Sequence, residues 1–84
     1  MKKSIWEESY SLLRQELKMI RKGAGLTQIQ LAKKLAKNQS YVSKYEIGDR
    51  NLDYIEVIYV CKACNENPGK FTELISQKID KLGE

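Results

Sequence analysis

The chain is 84 residues long with 42% apolar residues, one Pro and five Gly, enough for one small domain with one core and too little for a separate catalytic domain. Lys and Arg outnumber Asp and Glu by 15 to 11, an excess too modest to identify a polyanionic partner by itself. No apolar run approaches the roughly 20 residues needed to cross a bilayer, and the basic start Met1-Lys2-Lys3-Ser4 leads into Ile5-Trp6-Glu7-Glu8 without the apolar stretch of a secretion signal. No membrane partner is therefore expected, and the expected location is cytoplasmic, at the nucleoid if the source is bacterial.

Ser4 and Glu7 have capping-box spacing, and Trp6, Tyr10, Leu13, Leu17, Ile20 and Ala24 follow at intervals of four and three. That pattern predicts an amphipathic helix over roughly residues 5 to 23, ended by Gly23 and Gly25. Thr27 is placed to cap a second helix, whose Leu31, Ala32 and Leu35 face the same core and which ends near Ala36. Asn38 is the next N-cap, for a third helix from Gln39 to about Glu46. Its apolar stripe is thin, Val42 and Tyr45 with Tyr41 at the edge, while Gln39, Ser40, Ser43 and Lys44 make a polar face. Core burial alone does not place so short a helix, and its open face suits hydrogen bonds to base edges. Gly48-Asp49-Arg50-Asn51 is a turn, and Asp53 with Glu56 caps a fourth helix through Cys64, with Tyr54, Val57, Ile58, Cys61 and Cys64 as its buried face. Asn65 is a left-handed stop. Asn67-Pro68 opens a fifth helix, over about 68 to 82, striped by Phe71, Leu74, Ile75, Ile79 and Leu82. The expected fold is all-α, a single domain over residues 1–84.

Charge is unevenly spread along these elements. Residues 21 to 51 hold seven basic side chains (Arg21, Lys22, Lys33, Lys34, Lys37, Lys44, Arg50) against Glu46 and Asp49, whereas the last 33 residues hold four bases and six acids. Positive charge thus gathers around the second and third helices, as a phosphate-contacting face requires. Cys61 and Cys64 form a C-x-x-C, but the chain has no His and no other Cys to complete a zinc site. They also fall near the C-terminal end of a predicted helix, where the dipole opposes thiolate formation; core packing is their expected role. Without His, a ligand cluster or a nucleophile–base pair, no enzyme is expected, nor any cofactor, metal or small-molecule ligand.

From Thr27 to Arg50 the chain reads as a capped helix, a turn, a second helix and a basic exit, the grammar of a helix-turn-helix that presents its second helix to DNA. Arg21 with Gly25-Leu26-Thr27-Gln28, Leu31-Ala32, Gln39-Ser40-Tyr41-Val42-Ser43-Lys44-Tyr45-Glu46 and Gly48 resembles the phage repressor and Cro type of helix-turn-helix, the XRE-like family of bacterial transcription regulators. The resemblance covers about residues 13 to 75. It implies a compact five-helix domain of the lambda-repressor-like type, a motif over Gln28 to Ile47, and double-stranded DNA as partner. It also implies that Gln39 is the first exposed residue of the recognition helix, where a Gln amide matches N6 and N7 of adenine. Gln28 would brace Gln39, and Arg21 would pair with Glu46 across helices one and three as a structural ion pair.

Ser40 and Lys44, four apart, share a face and are the next candidates for base contact, followed by Ser43 and Tyr41. For Tyr41, packing at the helix edge with its hydroxyl on a phosphate stands beside base contact. Gln28, at a helix N-terminus whose free N–H groups favour an anion, and Asn38, Lys37, Arg50 and Asn51 are phosphate candidates that fix register rather than sequence. For the lysines a solvated surface role stays open. Two positions depart from the family pattern. Ala36 stands where Gly is usual, at a cost of about 1 kcal/mol if its backbone is left-handed, and Lys37 stands where many relatives are apolar.

One short recognition helix reads few base pairs, so a homodimer is expected. Ile55 and Tyr59, off the main stripe of the fourth helix, and Ile75, Ile79 or Leu82 of the fifth are its candidate interface residues, with completion of the monomer core as the alternative. The expected function is a sequence-specific DNA-binding regulator, a repressor in the first instance. Antitoxins and restriction-modification controller proteins use folds of this size too, and a protein-interaction adaptor is the second class.

Overall fold

The computed structural model describes residues 4–83; Met1–Lys3, the basic start considered above, and Glu84 lie outside them. Five helices follow in order, α1 (Ile5–Gly23), α2 (Gln28–Lys34), α3 (Gln39–Ile47), α4 (Tyr54–Ala63) and α5 (Pro68–Leu82). Each begins where a side chain supplies the hydrogen bond that the first turn lacks. Ser4, Thr27, Asn38, Asp53 and Asn67 each accept from the backbone N–H three residues on. At Thr27 and Asp53 the box is reciprocal, with Gln30 and Glu56 accepting from the cap's own N–H at 2.9 and 3.0 Å. At Ser4 it is one-sided: the Glu7 carboxylate accepts from the Ser4 hydroxyl, at 3.4 Å.

The first four helices end alike. Leu26, Lys37, Asp49 and Glu66 each donate a backbone bond to the carbonyl five residues back, and the preceding residues Gly25, Ala36, Gly48 and Asn65 all have positive φ. This is the Schellman closure, which absorbs carbonyls the helix leaves unpaired. Gly48, at φ 90, has a second constraint, since a Cβ there would stand 3.0 Å from the Arg14 guanidinium carbon. Ala36 is left-handed at φ 56, the conformation that stops α2 at Lys34, two residues short of the expected end.

The core draws on every helix: Leu17 of α1, Leu31 and Ala32 of α2, Val42 and Tyr45 of α3, Val60 and Cys61 of α4 with Cys64 at its cap, and Phe71 of α5. Both cysteines are free and buried. Burial pushes the Cys61 thiol up to about 11 and raises Cys64 as well, so both are neutral packing groups. Tyr54, expected in the buried face of α4, is exposed, and Val60 is buried instead. Tyr54 is the first residue of α4 and projects past the core edge, while Val57, Val60, Cys61 and Cys64 share one face at helical spacing. Trp6 and Tyr10 are likewise exposed, because the first turns of α1 extend beyond the residues it packs on. Farther along, the buried Glu16 carboxylate accepts from Lys78 Nζ at 2.8 Å, tying α1 to α5.

Candidate nucleic-acid interface

A polar relay runs from α1 to the exposed start of α3. Arg21 grips Glu46 with two bonds, Nε to Oε2 at 2.8 Å and Nη2 to Oε1 at 3.1 Å, and its Nη1 donates to the Leu26 carbonyl at 2.8 Å. The side chains of the pair are only 8% and 2% exposed, and the Glu46 bond raises the Arg21 pKa against the opposing effect of burial. Gln28 Nε2 then donates to Glu46 Oε1 at 2.8 Å, and Gln39 Nε2 donates to Gln28 Oε1 at 2.8 Å. Three side chains, Arg21, Glu46 and Gln28, one from each of three helices, thus fix the Gln39 amide at the first position of α3. The bond uses one Gln39 N–H and leaves the second N–H and Oε1 for a partner, a donor and an acceptor side by side.

Ser40 and Lys44 are exposed on α3, and Ser43 is half-buried. The Ser40 hydroxyl donates to Asn38 Oδ1 at 2.6 Å, an oxygen that also accepts from Tyr41 N at 3.2 Å. The Asn38 carbonyl oxygen is therefore committed to capping, and its amide nitrogen is what it can offer outward. Gln28 spends its side chain on the relay, so an anion would meet the backbone N–H groups of the first turn of α2.

Tyr41 does not stand among the base-facing side chains. It turns toward α4, where its hydroxyl donates to Glu56 Oε2 at 2.6 Å, so neither a base nor a phosphate has first claim on that hydroxyl. Burial and then the Glu56 bond raise its phenol well above the ordinary value. Its ring meets Tyr45 edge-on at 5.7 Å, and the Lys37 ammonium and Arg50 guanidinium lie 5.3 and 5.0 Å from its centroid, within cation–π range.

Glu56 is the residue the sequence does not single out beyond its cap. Its carboxylate accepts from the Asp53 N–H, from Tyr41 and, at 2.7 Å, from Arg50 Nη2. Those bonds, the backbone one foremost, hold its pKa at about 2. The Glu56 bond raises the Arg50 pKa, and Arg50 is parked beside α3 with the rest of its fork facing outward. Asn51 is exposed next to it.

Of the residues expected at a dimer interface, Ile55 and Tyr59 are 58% and 63% exposed on α4. Ile79 is also exposed, whereas Ile75 packs against the core and belongs to the monomer. Among the described residues, no cluster of side chains could hold a metal ion, and no helix is long and apolar enough to cross a membrane.

The helix-turn-helix family profile matches residues 17–71, which takes in the relay, α3 and Glu56. Among solved structures, an XRE-family like protein from Pseudomonas syringae pv. tomato str. DC3000 is similar at 34% identity and a TM-score of 0.84, over 88% of this chain and 90% of that one. No curated protein matches.

Proposed function

The chain belongs to the XRE-type helix-turn-helix family of DNA-binding regulators, and from that premise we propose that it is a repressor that occupies an operator with α3 in the major groove. The observation that carries the proposal is the relay ending at Gln39, whose remaining donor and acceptor match the N7 and N6 edge of adenine. Ser40, Lys44 and Ser43 read beside it. Arg50, Asn51, Lys37, Asn38 and the N-terminal turn of α2 hold phosphates.

A homodimer belongs to the same proposal, because two copies of α3 on a two-fold site double the sequence that is read. Of the side chains expected at such a contact, Ile55, Tyr59 and Ile79 are exposed; we assign the contact to Ile79 on α5, and sedimentation with and without duplex measures it. An antitoxin or a restriction-modification controller would perform the same molecular act, and the neighbouring genes distinguish these roles.

Selection of bound sequences from random duplex DNA is the test. Gln39→Ala is expected to relax preference at one base position at a cost of about 1–3 kcal/mol, and Arg50→Ala to weaken all sequences alike and lower the salt slope by about one. If both variants treat matched and mismatched sites identically, the division into base readers and phosphate holders is wrong.

A further inference from the structure

We infer that the groove between the α2–α3 turn and α4 is a docking site for an acidic segment of another protein, one that carries large apolar side chains. The groove has a volume of about 710 Å³, a size that takes a few side chains. Its apolar lining includes Leu35, Ile55 and Tyr59, and the last two are more than half exposed.

The charges around it select the partner. Lys34, Lys37 and Lys62 line the groove, and none of them belongs to an ion pair among the described residues, where the three pairs use Arg21, Arg50 and Lys78. The two acids of the groove are already engaged. Asp53 caps α4, and Glu56 is bonded by Asp53, Tyr41 and Arg50. Three open ammonium groups around apolar side chains complement carboxylates set beside a hydrophobic anchor, the pattern of an acidic amphipathic helix laid in a groove. A DNA backbone would satisfy the lysines and leave Ile55 and Tyr59 uncovered. A second copy in a two-fold contact would bring two lysine-rimmed grooves together, like charge on like, which leaves a homodimer to α5.

Docking here would cover Lys37, beside the reading helix, and Tyr41 on it, so an acidic partner competes with duplex. Occupation of the groove is independent of the DNA-binding proposal; the competition rests on it.

The probe is a labelled synthetic helix with a leucine stripe flanked by glutamates, titrated against the full chain by fluorescence anisotropy, with an all-glutamate peptide and a leucine–glutamine peptide as controls. The leucine–glutamate peptide is expected to saturate at one per chain and to bind more weakly as salt rises. It should weaken by about tenfold in Lys62→Glu and in Tyr59→Asp, both folded by circular dichroism, and bind Gln39→Ala unchanged. Absence of binding, equal binding of either control peptide, or indifference to Lys62→Glu overturns the proposal. So does a self-association abolished by Tyr59→Asp, which would give the groove to a second copy, or a duplex affinity that falls as far in Lys62→Glu as in Arg50→Ala, which would give it to DNA. A protein that takes up the peptide but binds no duplex would defeat the DNA-binding proposal and uphold this one.

Discussion

Two arginine–glutamate pairs flank the recognition helix and differ in nearly every physical respect. At the α1–α3 junction, Arg21 and Glu46 are bidentate, with side chains 8% and 2% exposed. At the α3–α4 junction, Arg50 meets Glu56 through one nitrogen, with side chains 48% and 20% exposed. The first pair has lost its water and is kept by geometry, so removing one partner strands a buried charge. The second is screened and exchangeable, and its arginine can swing to a phosphate without leaving a charge in the core. Identical chemistry therefore serves as a lock on one side of α3 and as a releasable latch on the other. Burial decides which.

The contrast is broken or sharpened by variants at Glu46 and Glu56. Glu46→Ala should have the largest effect, a loss of about 3–5 kcal/mol in urea denaturation with a fall in operator affinity as Gln28 and Gln39 lose their anchor. If neither stability nor affinity moves, the lock does not exist. Glu56→Ala should cost less, about 1–2 kcal/mol, through the lost cap and the stranded Tyr41 hydroxyl.

Glu56 should also leave a mark on acid unfolding. Its carboxyl is held at about 2, against 4.5 ordinarily, so its contribution is complete above pH 4.5 and disappears as the pH falls toward 2. Urea midpoints over that window should drop less steeply in Glu56→Gln than in the parent protein. Equal slopes would show that the bonds to the Glu56 carboxylate, the Asp53 backbone bond foremost, contribute nothing to native stability. The smallest effect is expected at Ala36, whose left-handed backbone suits Gly. Ala36→Gly should gain at most about 1 kcal/mol, and a loss would mean that the methyl group is used in packing beside the groove.

What the sequence conveyed best was helix boundaries, because caps are local: Thr27, Asn38, Asp53 and Asn67 announce their helices within three residues. The stop of α2 was harder to place, since Ala gives no sign of a left-handed conformation. On the buried face of α4, Val57, Cys61 and Cys64 are legible and Tyr54 is not, for a different reason. Tyr54, Ile55, Val57, Ile58, Tyr59 and Val60 are apolar nearly all round the helix, so periodicity could not choose a side, and the same surplus leaves Ile55 and Tyr59 lining an open groove. Within the interface, the resemblance indicated Arg21, Glu46, Gln28 and Gln39. The capture of Tyr41 by Glu56, 15 residues away, depends on how α3 meets α4, and no local pattern encodes that.

The bond between Glu16 and Lys78 spans 62 positions, and Phe71 of the same final helix completes the core. During synthesis, then, α1 to α4 emerge with Glu16 short of its counterion and a core that lacks one wall. The relay to Gln39 lies entirely in the earlier part of the chain, yet the body that holds it rigid is finished only when residue 78 has cleared the ribosome.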